Sequence, residues 1–207
     1  MGIGKVYNKD VEIVDRIPSP TSSYIIPMLD LLAWSGFTNQ PDGDDVEIIS
    51  DSASDVGLAT VFYTKKSDGT FAYKTVTLTG TNAKSLTGAN DVDDVMGIFL
   101  GDIYGQNITP AVGTITIREA SADQTITTIV ATKISKGLVA FDLTGKDIIC
   151  NVHSGNVWKQ YGTTVVTTLN GWKNNLTGGN IEDENISSIL YLISDTTGAT
   201  AQIKVLA

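Results

Sequence analysis

From Val46 onward, apolar and polar residues alternate in short runs separated by Gly, Asn and Asp, which is the signature of strands joined by tight turns. In Thr70 to Thr79, for example, Val76 and Leu78 point one way while Thr75, Thr77 and Thr79 point the other. One face is expected to be buried and one wet. This run pairs with Leu58 to Lys66 across Ser67-Asp68-Gly69, whose Asp-Gly pair signals a hairpin because Gly tolerates positive φ. Further strands are predicted at Val95 to Tyr104, Gly113 to Glu119, Gln124 to Ile134, Leu138 to Leu143, Asp147 to Val152, Val157 to Leu169, Ser188 to Ile193 and Ala201 to Leu206. No amphipathic helix of adequate length lies between them, so parallel βαβ units are excluded. The predicted class is all-β, an antiparallel β-sandwich or jelly-roll-like fold.

The N-terminal part reads differently. Asp10 to Ile17 alternates imperfectly, and Pro18-Ser19-Pro20-Thr21-Ser22-Ser23 breaks it. Tyr24 to Trp34 predicts a short helix beginning near Pro27, with Met28, Leu31 and Leu32 on one side. The polar run from Gly36 to Asp45 then marks a boundary. Residues 1–45 are expected to form an arm and linker that grips a neighbour, and residues 46–207 a single sandwich domain. Two echoes hint at duplication: Ile49-Ser50-Asp51 with Ile193-Ser194-Asp195, and Thr75 to Gly80 with Val166 to Gly171.

Composition agrees with sheet. Thr, Ile and Gly dominate, 42% of the 207 residues are hydrophobic, and the acids are mostly Asp, a turn residue. The net charge of −9 repels phosphate, which argues against nucleic-acid or anionic-membrane partners. No apolar run approaches the roughly 18 residues that a spanning helix needs. The first ten residues hold no apolar signal core, so the chain is expected to stay in the compartment where it is made.

Candidate chemistry is sparse. Asp42, Asp44 and Asp45, or Asn90, Asp91, Asp93 and Asp94, could offer oxygens to calcium, but neither matches a twelve-residue calcium loop with its closing Glu. Cys150 and His153 are the only cysteine and histidine; their odd spacing puts them on opposite faces of a strand, against a catalytic dyad. Cys150 is expected to be a buried thiol. Trp158, Tyr161 and Trp172 could form a sugar-binding platform or serve as rim and core aromatics. Gly2-Ile3-Gly4 and Gly178-Gly179 lack the Lys and Ser/Thr of a phosphate loop, and Lys65-Lys66 reads as a solvated turn. No catalytic, cofactor-binding or metal residue is assigned.

The segment Glu47 to Gly57, with its Ser50-Asp51-Ser52-Ala53-Ser54-Asp55 turn, is followed by Thr75-Val76-Thr77-Leu78-Thr79-Gly80-Thr81 and Gly113-Thr114-Ile115-Thr116-Ile117. In this order the three resemble motifs of β-sandwich virion proteins of tailed bacteriophages and related viruses. The resemblance covers about residues 46 to 130, and Lys84-Ser85-Leu86 departs from it where the group carries Thr-rich sequence. It implies a non-enzymatic virion protein without cofactors, made in the host cytoplasm. That would be a capsid decoration or auxiliary head protein, homo-oligomeric and bound to the major capsid protein or other virion proteins. A tail or fibre component touching the host, or a lectin-like module, are the alternatives.

Overall fold

A computed structural model describes residues 23–66, 69–86, 92–162, 186–195 and 198–206, together with the backbone of 172–174 and 180–183. Among the described residues the first elements are strand β1 (Tyr24–Leu31) and a 3-10 turn (Trp34–Gly36). Eight strands follow: β2 (Val46–Ser50), β3 (Val56–Lys65), β4 (Phe71–Thr79), β5 (Lys84–Ser85), β6 (Val92–Phe99), β7 (Ile115–Glu119), β8 (Thr125–Ile129) and β9 (Ser135–Gly137). The last seven are β10 (Val139–Phe141), β11 (Asp147–Ser154), β12 (Val157–Tyr161), β13 (Trp172–Asn174), β14 (Asn180–Asp183), β15 (Leu190–Ser194) and β16 (Ala199–Leu206). All named pairings are antiparallel. The all-β expectation holds.

The strands form four four-stranded sheets, and these make two sandwiches rather than one. In the first, β5-β2-β7-β8 faces β4-β3-β6-β9 over a core that includes Val46, Ile48, Val61, Leu78, Ile98 and Ile117. In the second, β1-β16-β11-β14 faces β10-β15-β12-β13 over Ile26, Leu29, Ile148, Val157, Leu192 and Ile203. Within the second, consecutive strands switch sheets at every step except β12 to β13, which is the winding of a jelly roll.

The two sandwiches share one connectivity. Replacing β2 through β7 by β11 through β16 in order converts the neighbours of the first into those of the second. The remaining edge positions are held by β8 and β1 in one pair of equivalent sheets and by β9 and β10 in the other. The first sandwich is therefore a circular permutant of the second and is inserted between β1 and β10. Neither sequence echo supports this symmetry: β2 and β15, which end in Ile-Ser and are followed by Asp, occupy different positions, and Val166 to Gly171 lies outside the described residues.

Two expectations are corrected here. The helix near Pro27 is β1, and residues 24–31 are a strand of the second sandwich rather than a loose arm: Tyr24 pairs with Val205 and Leu31 with Ala199. A bulge explains the misreading. Ile26 opposes Ile203 and Leu29 opposes Ala201, so an extra residue enters between them, and the buried set Ile26, Leu29, Leu31 imitates helical spacing. Pro27, which cannot donate to a ladder, is tolerated at this bulged edge. Residues 1–22 of the expected arm, including Asp10 to Ile17, lie outside the described residues.

Other details match the pattern. Gly69 has φ +64 and donates to Lys65 O at 2.8 Å, closing the β3–β4 hairpin, while Val76 and Leu78 are buried and Thr75, Thr77 and Thr79 exposed. Across β2 and β7, Glu47 pairs in register with Arg118, whose guanidinium bonds its carboxylate. The sandwiches also share apolar contacts. Phe62, Met96 and Phe99 of the first belong to the core of the second, and Phe99 meets Phe141 edge-on at 5.1 Å. Only Leu138 separates β9 from β10, and its N–H donates to Met96 O at 2.9 Å.

Candidate functional site

The three sequence motifs, dispersed over about seventy residues, converge on one point. At the end of β2 the chain turns through Ser52 and Ala53, and Asp55 folds back so that Ser50 Oγ donates to its Oδ2 at 2.5 Å. Val112 N–H donates to Asp55 Oδ1 at 2.6 Å and Gly113 N–H to Oδ2 at 3.1 Å. Gly80 N–H donates to Asp55 O at 2.8 Å, and Ser50 N–H donates to Gly80 O at 3.3 Å. Asp51 Oδ1 accepts from Thr114 N–H at 2.7 Å. The turn thus ties the β2–β3 connection to the ends of β4 and to the start of β7. Gly113 is required for that approach, since a Cβ there would fall 2.0 Å from Asp51 Oδ1.

Asp55 is 3% exposed. Burial pushes its carboxyl up, but the Ser50 hydroxyl and the Val112 and Gly113 N–H groups outweigh burial and hold it below the ordinary value. Every donor is a fixed backbone or short side-chain group. The arrangement favours the ionised form and engages both carboxylate oxygens in the bonds that close the turn.

The other sequence candidates separate in space or are consumed by structure. Cys150 is buried while His153 on the same strand is exposed, in agreement with the alternation. Trp158 and Tyr161 are half-buried and pack against the second core, and Lys159 Nζ lies 5.6 Å over the Tyr161 ring. Trp172 pairs through its backbone with Lys159; its side chain lies outside the described residues. The packing of Trp158 and Tyr161 is that of rim and core aromatics.

The acidic loops do come together. Asp42 N–H donates to Asp93 O at 3.3 Å, and Lys66 Nζ bonds the Asp42 carboxylate at 3.0 Å. Asp94 sits close enough that burial first, and then Asp93 and Asp42, push its carboxyl up. Among the described residues no cluster of three His, Cys, Asp or Glu side chains forms a cation site. Asn90 and Asp91, like Gly2 to Gly4 and Gly178-Gly179, lie outside them.

Two clefts open where the sandwiches meet, and sequence patterning signalled neither. One, of about 410 Å³, is lined by Asp30, Lys133, Ser135, Lys136, Ser154 and Thr200 among others; within it Lys133 Nζ pairs with Asp30 at 3.1 Å. The other, of about 470 Å³, is lined by Tyr24, Tyr104, Gln106, Asp142, Thr144 and Lys146 with Leu143 beneath. Its residues come from β1, from the loop after β6 and from the β10–β11 connection, so only the tertiary fold assembles it. No protein-family model matches the chain, and no curated protein matches it.

Proposed function

We propose that this chain is a non-enzymatic structural protein of a virus particle, a capsid decoration or auxiliary head protein that self-associates and binds the major capsid protein or other virion proteins. One observation carries the reading. The segment that resembles phage virion sandwiches, about residues 46 to 130, supplies β2 through β8, nearly the whole of the first sandwich, and its three motifs bond to one another. Motifs used up in holding strand ends together suit a scaffold. The net charge of −9 suits a particle surface and disfavours nucleic acid and anionic membranes as partners.

Assembly would use sheet surfaces. β4 is an edge strand whose exposed Thr75, Thr77 and Thr79 offer hydroxyls beside a half-exposed Tyr73. Strand β1 lies at the edge of its sheet, so residues 24–31 of the expected arm complete the second sandwich and also present an edge to a neighbour. The test is mass spectrometry of gradient-purified particles of the virus that encodes the chain, with light scattering of the purified protein. Stoichiometric presence in particles supports the proposal; absence from them overturns it. A tail or fibre role in contact with the host is the second reading, favoured by the exposed Tyr104 in the larger cleft.

A further inference from the structure

Tyr104 combines two properties that rarely coincide, an exposed aromatic ring and an immobilised backbone. The residue is 54% exposed. Its N–H donates to Asp102 Oδ1 at 2.9 Å, and its carbonyl accepts from Tyr24 Oη at 2.7 Å. The preceding Ile103 carbonyl accepts from Asp142 N–H at 2.8 Å. On the other side, Gly105 lies against β1 so closely that a Cβ would come within 2.2 Å of Ile26 Cδ1. Asp102 further binds Gln106 N–H at 2.9 Å and Asn107 Nδ2 at 2.6 Å, so the whole loop is cross-braced. Burying Tyr104 would be easy for a flexible loop. Here the braced backbone keeps residue 104 exposed in the lining of the cleft.

The lining of the same cleft also carries groups that bond hydroxyls. Gln106 offers an amide, and Lys146 an ammonium. Asp142 offers a carboxylate that already accepts from Thr144 Oγ1 at 2.8 Å. Tyr24 contributes a second aromatic, whose phenol donates to Tyr104 O at 2.7 Å. The cleft of about 470 Å³ is within the range of small-ligand sites. An aromatic face for C–H groups with an amide, an ammonium and a carboxylate at its edge is the chemistry of a pyranose, whose ring is apolar on its faces and ringed by hydroxyls. Opposite charges on Asp142 and Lys146 favour a neutral ligand over an ion.

We propose that this cleft is a saccharide-binding site for a neutral hexose unit, with Tyr104 as the stacking platform and Gln106, Asp142 and Lys146 as hydroxyl partners. The site is distinct from Trp158, Tyr161 and Trp172, and it does not depend on the virion reading. A fixed platform loses little entropy on binding, so even a weak single contact is useful when the protein is presented in many copies.

The test uses the full chain and saturation-transfer NMR with glucose, galactose, mannose and N-acetylglucosamine. Transfer to the ring protons of at least one sugar is expected. Tyr104→Ala should weaken that binding about tenfold, Tyr104→Phe should preserve it, and Lys136→Ala in the other cleft should leave it unchanged. The unfolding midpoints of the variants separate loss of platform from loss of fold, and Lys146→Ala provides a second lesion should Tyr104→Ala prove unstable. No transfer from any of the four sugars, or transfer that survives both Tyr104→Ala and Lys146→Ala, overturns the proposal.

Discussion

The carboxylate of Asp55 accepts the backbone N–H of Val112 at 2.6 Å, joining two positions 57 residues apart and locking the first sandwich at the turn that the sequence marks most strongly. Asp55→Ala leaves the buried Ser50 hydroxyl without this acceptor and removes it from the part-buried Val112 and Gly113 N–H groups. Stranding a buried donor costs about 1–3 kcal/mol. The urea midpoint should fall accordingly; a change within about 0.5 kcal/mol, the range of an ordinary surface substitution, would show that the lock is dispensable.

Acid should weaken the protein through the same residue. The folded-state pKa of Asp55 is held low, so its contribution is present above the ordinary carboxylate range and disappears as pH falls through the folded value. Glu119 acts in the same direction, held down first by the Ser121 hydroxyl and then, against burial, by the Ser121 and Ala122 N–H groups. Unfolding midpoints followed from pH 7 downward should decline for the wild type and decline less for Asp55→Asn.

Asp94 has the opposite sign. Burial and its acidic neighbours raise its folded pKa, so its charged form opposes folding above that value, and the penalty vanishes once it is protonated. Asp94→Asn should therefore stabilise the protein near neutral pH, with the gain shrinking as pH falls. Equal gains at both ends of the titration would point to a cause other than charge.

Strand β1 should be indispensable to the second sandwich. Ile26 and Leu29 are fully buried there, and truncating such a side chain to Ala costs about 2–5 kcal/mol. Hydrogen exchange on Leu29→Ala should show faster exchange in β16, its ladder partner, while a wild-type pattern would place residues 24–31 outside the fold.

Phe99 and Phe141 bring the two sandwiches into one core. A double-mutant cycle to Leu should return a coupling of about 0.5–1.5 kcal/mol for an edge-on aromatic pair. Thermal unfolding should be a single transition; two separated transitions and no coupling would show that the sandwiches fold independently.

The sandwich class, the β3–β4 hairpin and the opposite faces of Cys150 and His153 were legible because period-two alternation and Asp-Gly turn chemistry are local properties of consecutive residues. Pro27 and its bulge misled that same reading, since one inserted residue turns a period of two into an apparent period of three. What only the tertiary structure decided is everything carried by pairing over long separations: the two sandwiches, the permuted edge strands β1 and β8, the meeting of three motifs at Asp55, and the cleft around Tyr104. Strands of similar composition satisfy their backbone hydrogen bonds with many partners, so alternation specifies which face is buried but not which neighbour covers it. Part of that covering is the shared core, to which Phe62 and Phe99 of the first sandwich and Phe141 of the second all belong.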